Sequence, residues 1–245
     1  MTIGQPDIEF FNGGDGTILG YRLRKGHSPT LLFLPGYASD MDGAKALALD
    51  AFAGRQSVGM LRFDYSGTGS SGSDLAHGTL TAWLGEALAM VDQLTDGPLI
   101  LIGSSMGGWL ALHLALQRPQ RVQALIGIAA APDFTDWGFT PEQKSQFEDD
   151  ALDQEPNPYV SRGFWRSGAP LLLLGGDIAI DCPVRLIHGD QDGDVPLDVA
   201  MRLTRQLRSA DVQLKILKDG GHRLSEPHEI EAILRTVHAF LEPCL

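Results

Sequence analysis

Short apolar strands alternate with helical stretches along most of this chain, and the strand runs are apolar on both faces. Together these two observations predict an α/β protein with a mostly parallel sheet and helices on both sides, because crossover helices cover each strand above and below. The 245 residues fit one domain of this kind, spanning 1–245. A composition of 43% hydrophobic and 20% charged residues supplies enough apolar side chain for a sizeable core. The 29 Gly and 14 Pro fall mostly between the apolar runs and read as turn punctuation.

The elements follow in order. A hairpin opens the chain, with IEFF and ILGYRLRKG on either side of the turn NGGDG. TLLFLPG is a buried strand, followed by an alanine-rich helix over 42–54 and the strand SVGMLRFDYS. Over 79–95, Leu80, Trp83, Leu84, Leu88 and Val91 recur at the helical period. PLILIGSS is the next strand, and GGWLALHLALQRP is a helix closed by Pro119. VQALIGIAAA, VRLIHGD and VQLKILKDGG are further strands, with the helix LDVAMRLTRQLRSA between the last two. EPHEIEAILRTVHAF closes the chain as an amphipathic helix.

Residues 133–180 break this rhythm. The stretch is irregular and rich in Pro and aromatic residues, and between Asp133 and Glu155 eight acids face the single base Lys144. It reads as an insertion between two strands, a lid or cap over the sheet, and loops of this length in compact domains are often functional.

Charge and cysteine usage narrow the function classes. Nineteen Lys and Arg against 31 Asp and Glu give a net charge of −12 with no basic cluster, so neither nucleic acid nor an anionic membrane is an expected partner. No apolar run approaches the roughly 18 residues that span a bilayer. Cys182 and Cys244 form no metal-binding spacing, which suggests a reducing compartment and no disulfide framework. The opening MTIGQPDIEFFNGGDG has no basic segment followed by an apolar one, and the cytoplasm is the expected location.

The chemistry centres on Gly103-Ser104-Ser105-Met106-Gly107. It fits G-x-S-x-G in one register only, with Ser105 central, and it stands between a buried strand and a helix. A sharp strand-to-helix turn of this kind projects the Ser hydroxyl from the sheet end, and glycines flank it because side chains there would strike neighbouring backbone. The helix N-terminus places positive partial charge where an oxyanion would form. A serine nucleophile needs a base, and the base needs an orienting acid, in the chain order Ser, acid, His for such an elbow. Of the five histidines after Ser105, His113 lies inside the following helix, His228 and His238 lie on the last helix, and His188 sits at a strand end and reads as structural. His222, in KDGGHRLSEP directly after the last strand, is the expected base. The acid belongs after an earlier strand on the same edge, where Asp190, Asp192 and Asp194 are all available. Turn formation and capping of the helix from Leu197 are the alternative roles for these acids. Leu34-Pro35-Gly36-Tyr37 ends the third strand, and the N–H groups of Tyr37 and Met106 are the expected oxyanion donors.

FLPGY, RFDYSGTGSS, GSSMGGW, LIHGDQDGDVP and DGGHR together resemble the α/β-hydrolase superfamily, over nearly the whole chain. The superfamily's acid segment H-G-x-x-D-x-x-V-P, laid on His188 to Pro196, places the acid on Asp192. More narrowly, LPGYASDMDGAKALAL, RFDYSGTGSS, DGPLILIGSSMGGWLALHLA and CPVRLIHG are similar to a smaller group, that of the mitochondrial acyl-glucuronide esterase and protein S-depalmitoylase with its bacterial relatives. The chain departs from many superfamily members in carrying Pro35-Gly36 where they have His-Gly, which leaves a backbone donor intact.

The resemblance implies a serine esterase or thioesterase with the triad Ser105, Asp192 and His222, acting on small-molecule acyl esters or thioesters and needing no metal or cofactor. Trp137, Phe139 and Trp165 of the insertion are expected to line the acyl site. A ligand receptor retaining a hydrolase pocket and an aminopeptidase of the same fold are the alternatives.

Overall fold

In the computed structural model, eight strands among the described residues form one sheet in the order β1-β2-β4-β3-β5-β6-β7-β8. They are β1 Glu9–Asn12, β2 Ile18–Arg24, β3 His27–Leu34, β4 Val58–Phe63, β5 Leu99–Ser104, β6 Val122–Ile128, β7 Val184–Gly189 and β8 Val212–Leu217. The structure describes residues 4–13, 16–151, 157 and 159–241; Cys244, Gly14 and Asp15 of the first turn, and 152–156 and 158 of the insertion lie outside them. β1 pairs antiparallel with β2, and β2 antiparallel with β4, as a hairpin entry to the sheet. From β4 to β8 every pairing is parallel.

Parallel pairing follows from burial. Leu32, Leu34, Leu99 and Leu101 face one core, while Leu31, Phe33, Ile100 and Ile102 face a second core on the other side of the same strands. The second core is closed by α1 Ala44–Gln56 and α8 Pro227–Leu241 through Ala46, Leu49, Phe52, Ile233, Val237 and Leu241. The first is closed by α2 Leu80–Leu94, α3 Met106–Gln117 and the later helix Leu197–Gln206, through residues such as Trp83, Trp109 and Leu203.

The insertion between β6 and β7 is more regular than its sequence suggests. It holds α4 Phe134–Trp137, α5 Pro141–Glu148 and α6 Arg162–Ser167, so Leu197–Gln206 is α7. Thr140 begins α5 with a capping box: its hydroxyl accepts the Gln143 N–H and the Gln143 side chain accepts the Thr140 N–H. Asp133, at φ 59°, opens the insertion, and its buried carboxylate accepts the N–H groups of Leu173 and Leu174 at 2.7–3.0 Å. The two ends of the lid are thereby tied together at its base.

Candidate active site

The C-terminal ends of β3, β5, β7 and β8 converge on one edge, as parallel strands must. At the end of β5, Ser105 adopts φ 55°, ψ −122°, and α3 begins at the next residue. The glycines make this turn possible. A Cβ on Gly103 would lie 2.3 Å from Gly107 O, and one on Gly107 would lie 2.1 Å from Leu34 O. Backbone bonds hold the elbow from β6: Ser105 N–H donates to Ile128 O at 2.9 Å, and Ser105 O accepts Ala131 N–H at 3.1 Å. The strained conformation of Ser105 is thus imposed by its surroundings.

His222 reaches Ser105 from the loop after β8. Its Nε2 lies 3.0 Å from Ser105 Oγ, and its Nδ1 lies 2.9 Å from Asp192 Oδ2. Asp192 Oδ1 accepts two backbone N–H groups, those of Asp194 and Val195, each at 2.9 Å. Burial disfavours the charged form of Asp192, but His222 and the two N–H groups outweigh it and hold the carboxyl below its ordinary range. These distances are those of a nucleophile, a base and an orienting acid.

The neighbouring candidates do not bond to the catalytic ring: His222 Nδ1 pairs with Asp192 and its Nε2 with Ser105. Asp190 Oδ1 accepts the Asp219 N–H at 2.6 Å, tying the loop after β7 to the turn after β8. The Asp194 side chain is exposed at the cleft. α7 starts from Pro196 with no side-chain cap, so the helix-capping role is filled by none of the three acids. His188 is buried, with Nε2 2.9 Å from Val195 O, beside the triad acid and away from Ser105. His113 is buried against Leu171 O, and His238 packs edge-on to Phe52.

The loop after β3 passes against the elbow, where a Cβ on Gly36 would lie 3.3 Å from Ser105 Cβ. Among the described residues, neither the Tyr37 N–H nor the Met106 N–H donates to a backbone acceptor. As the first residue of α3, Met106 has no intrahelical acceptor for that proton. The Tyr37 ring packs 4.7 Å from Phe164, and its hydroxyl donates to Tyr159 O at 2.6 Å, linking this loop to the insertion.

A cleft of about 770 Å³ opens beside Ser105 and His222. Its walls come from the loop after β3, the start of α1 and the loop after β8, and they include Tyr37, Asp40, Lys45, Asp194 and Arg223. Lys45 donates from Nζ to Arg223 O. Burial pulls its ammonium below the usual lysine range, with Glu229 opposing. Lys45 carries no sequence signal, whereas Arg223 could have been picked out only by its place after His222. The cleft walls contain none of Trp137, Phe139 and Trp165. The indole N–H groups of Trp137 and Trp165 donate to Pro132 O and Thr135 O, and Trp165 stacks on Phe147 at 5.1 Å with Phe139 edge-on to the same ring. The three side chains are half-buried against the core that α2 and α3 close, and both indoles have backbone acceptors there.

Asp192, Asp194 and His222 each bring one possible ligand atom to within 4.8 Å of the others. The atoms of Asp192 and His222 that face each other are already committed to their own hydrogen bond. No helix among the described residues is long and apolar enough to cross a membrane.

Fold and geometry together define a serine hydrolase of the α/β-hydrolase class. Residues 29–155 match the model of the alpha/beta hydrolase fold family, and the chain belongs to that family. The mitochondrial palmitoyl-protein thioesterase ABHD10 of Homo sapiens is 38% identical over 97% of this chain and 81% of its own length. The structure of mouse alpha/beta hydrolase domain-containing protein 10 superposes with a TM-score of 0.90 at 34% identity, covering 98% of this chain and all of that one. Est1E from Butyrivibrio proteoclasticus, seen with ferulic acid bound, shares the fold, with a TM-score of 0.80 at 22% identity over 96% of this chain and 98% of its own. The chain is accordingly a hydrolase of carboxylic esters or thioesters.

Proposed function

We propose that this enzyme removes long-chain acyl groups from thiols, with Ser105 as nucleophile, His222 as base and Asp192 as orienting acid. The observation that carries the chemistry is the chain of contacts from Ser105 Oγ through His222 to Asp192, at 3.0 and 2.9 Å. What supports the substrate class is the likeness to a palmitoyl-protein thioesterase over almost the full chain.

The steps follow from the geometry. Ser105 Oγ attacks the thioester carbonyl while His222 Nε2 takes its proton, and Asp192 holds the other imidazole N–H and stabilises the imidazolium. The tetrahedral oxyanion turns toward the N–H groups of Tyr37 and Met106. Collapse breaks the C–S bond, and His222 returns the proton to the leaving thiolate. Water then attacks the acyl-Ser105 ester with His222 as base again, which frees the fatty acid and restores the serine. No sequence feature calls for a metal or cofactor in these steps. The cytoplasm, proposed from the sequence, is tested by fractionation.

The test is a turnover panel of aryl esters from acetyl to palmitoyl beside a palmitoyl thioester of a short peptide. Multiple turnover of the palmitoyl thioester, absent in Ser105→Ala, is the expected result. Stoichiometric acylation without turnover would favour a receptor, and hydrolysis confined to short aryl esters would remove the thioester reading.

A further inference from the structure

We propose that Arg62 and Asp64, at the end of β4, are positioning residues for the oxyanion hole, because they clamp the peptide of Met41 from both sides in the loop that carries the Tyr37 N–H. The inference rests on the reading of Tyr37 as an oxyanion donor.

Both residues are charged and buried, at 0% and 1% exposure, and charges in such places require specific partners. Asp64 Oδ1 accepts the Met41 N–H at 2.7 Å, and its Oδ2 accepts the Ser70 N–H at 2.7 Å. Among the described residues no cation lies within ion-pair distance of this carboxylate. Its charge is met by backbone donors, one of them in the loop after β3. Arg62 Nη1 donates to Met41 O and to Asp42 Oδ1, each at 2.5 Å. The Met41 C=O is thus held from β4 by Arg62, and its N–H by Asp64 at the first residue beyond that strand.

Between Met41 and Tyr37 the loop is short and turned, with Ser39 N–H donating to Gly36 O at 3.2 Å and Ala38 at φ 52°. A shift of Met41 is transmitted to Tyr37 through the three intervening residues with little slack. Behind Asp64 the turn SGTGSS is shaped around the carboxylate. Ser71 Oγ donates to Asp64 O at 2.7 Å, and a Cβ on Gly69 would lie 2.1 Å from Asp64 Oδ2. This accounts for the RFDYSGTGSS segment, which the triad leaves without a role.

Two variants test the clamp. In Asp64→Asn, one oxygen of the pair becomes an NH₂ group facing an N–H donor. Gly69→Ala leaves Asp64 in place but pushes its carboxylate from an exposed turn. The readouts are kcat and KM on an aryl ester, the Ki of an alkyl trifluoromethyl ketone, and Tm. That ketone forms a hemiketal oxyanion on the serine. Loss of a whole oxyanion donor costs about 10²–10³ in kcat, and a displaced donor is expected to cost about 10–100-fold. KM is expected to stay within about threefold, with Ki rising by the same factor as kcat falls, since ketone and transition state share the oxyanion. Folded variants with unchanged kcat and Ki, or a lowered Tm with both constants intact, overturn the clamp. Loss of folding in both variants overturns it as well, by assigning Asp64 to the fold alone. A wild-type enzyme that neither turns over ester nor forms the hemiketal would instead overturn the functional reading.

Discussion

Replacing Asp192 by Asn tests the triad at its most specific point. The side chain keeps its shape, and the surroundings decide which way the amide faces. On one side stand two donors, the Asp194 and Val195 N–H groups; on the other stands a single ring nitrogen, His222 Nδ1. Placing the amide oxygen toward the two donors keeps both bonds, whereas the flipped amide would set an NH₂ group against two N–H groups. The first orientation therefore prevails and points NH₂ at Nδ1. Nδ1 must then be an acceptor, which moves the ring proton to Nε2, facing Ser105, where no lone pair remains to take the hydroxyl proton. The equivalent wrong-tautomer substitution in a serine protease costs about 10⁴ in kcat, or about 5.5 kcal/mol of barrier. Because both backbone bonds survive, Tm at pH 7 is expected to change little. Asp190→Asn and Asp194→Asn are expected to stay within about tenfold of wild type, or about 1.4 kcal/mol, because Nδ1 of His222 is bonded to Asp192 and not to either of them. Aryl-ester kcat and Tm for the three variants decide the matter. A folded Asp192→Asn with more than a tenth of wild-type activity would place the orienting acid at another residue.

The remaining predictions concern stability and reactivity. Gly107→Ala drives a Cβ into Leu34 O and is expected to cost about 1–3 kcal/mol of stability, with a fall in kcat as the elbow shifts; an unaltered Tm and kcat would contradict the packing. Trp165→Ala is expected to lower stability by somewhat less than the ~3–5 kcal/mol of a fully buried tryptophan and to leave the ratio of short- to long-chain kcat/KM unchanged; a changed ratio would return Trp165 to the acyl site. Burial pushes the Cys182 thiol up to about 11, so only about one part in a thousand is thiolate at pH 8. Iodoacetamide labelling mapped to Cys182 is expected to be slow in the native enzyme and fast in urea. Asp192, held below its ordinary range, contributes stability above about pH 4 that is lost as pH falls through its native value. Any Tm advantage of wild type over Asp192→Asn is therefore expected to narrow below that pH, and a widening gap would reverse the sign.

How far the site could be read from sequence depended on whether backbone geometry or packing sets each part. The elbow was legible because a sharp turn with no room for a Cβ requires glycine at 103 and 107, and that requirement shows in the letters. His222 was legible because it directly follows the last strand, and parallel strands deliver such loops to one edge. Asp192 was not separable from Asp190 and Asp194 by composition; the motif spacing selected it, and its place opposite Nδ1 agrees. Arg62 and Asp64 carry no such signal, because charged residues at a strand end are ordinarily solvated, and only tertiary structure seals them against Met41. The aromatic content of the insertion suggests a substrate wall. Its tryptophans find carbonyl partners at Pro132, just before the insertion, and at Thr135 within it, and periodicity carries no trace of such contacts. The strand expected over SVGMLRFDYS ends three residues earlier, at Phe63, for a related reason: Asp64 leaves it to begin the turn that surrounds its own carboxylate.

A covalent acyl-enzyme on Ser105 is what distinguishes this mechanism, and intact-protein mass spectrometry on a rapidly quenched reaction with a palmitoyl thioester detects it. The expected result is a palmitoyl adduct mapped to Ser105 that forms and decays during turnover, with neither adduct nor turnover in Ser105→Ala. A palmitoyl group found on another residue, or hydrolysis that continues in Ser105→Ala, would contradict it.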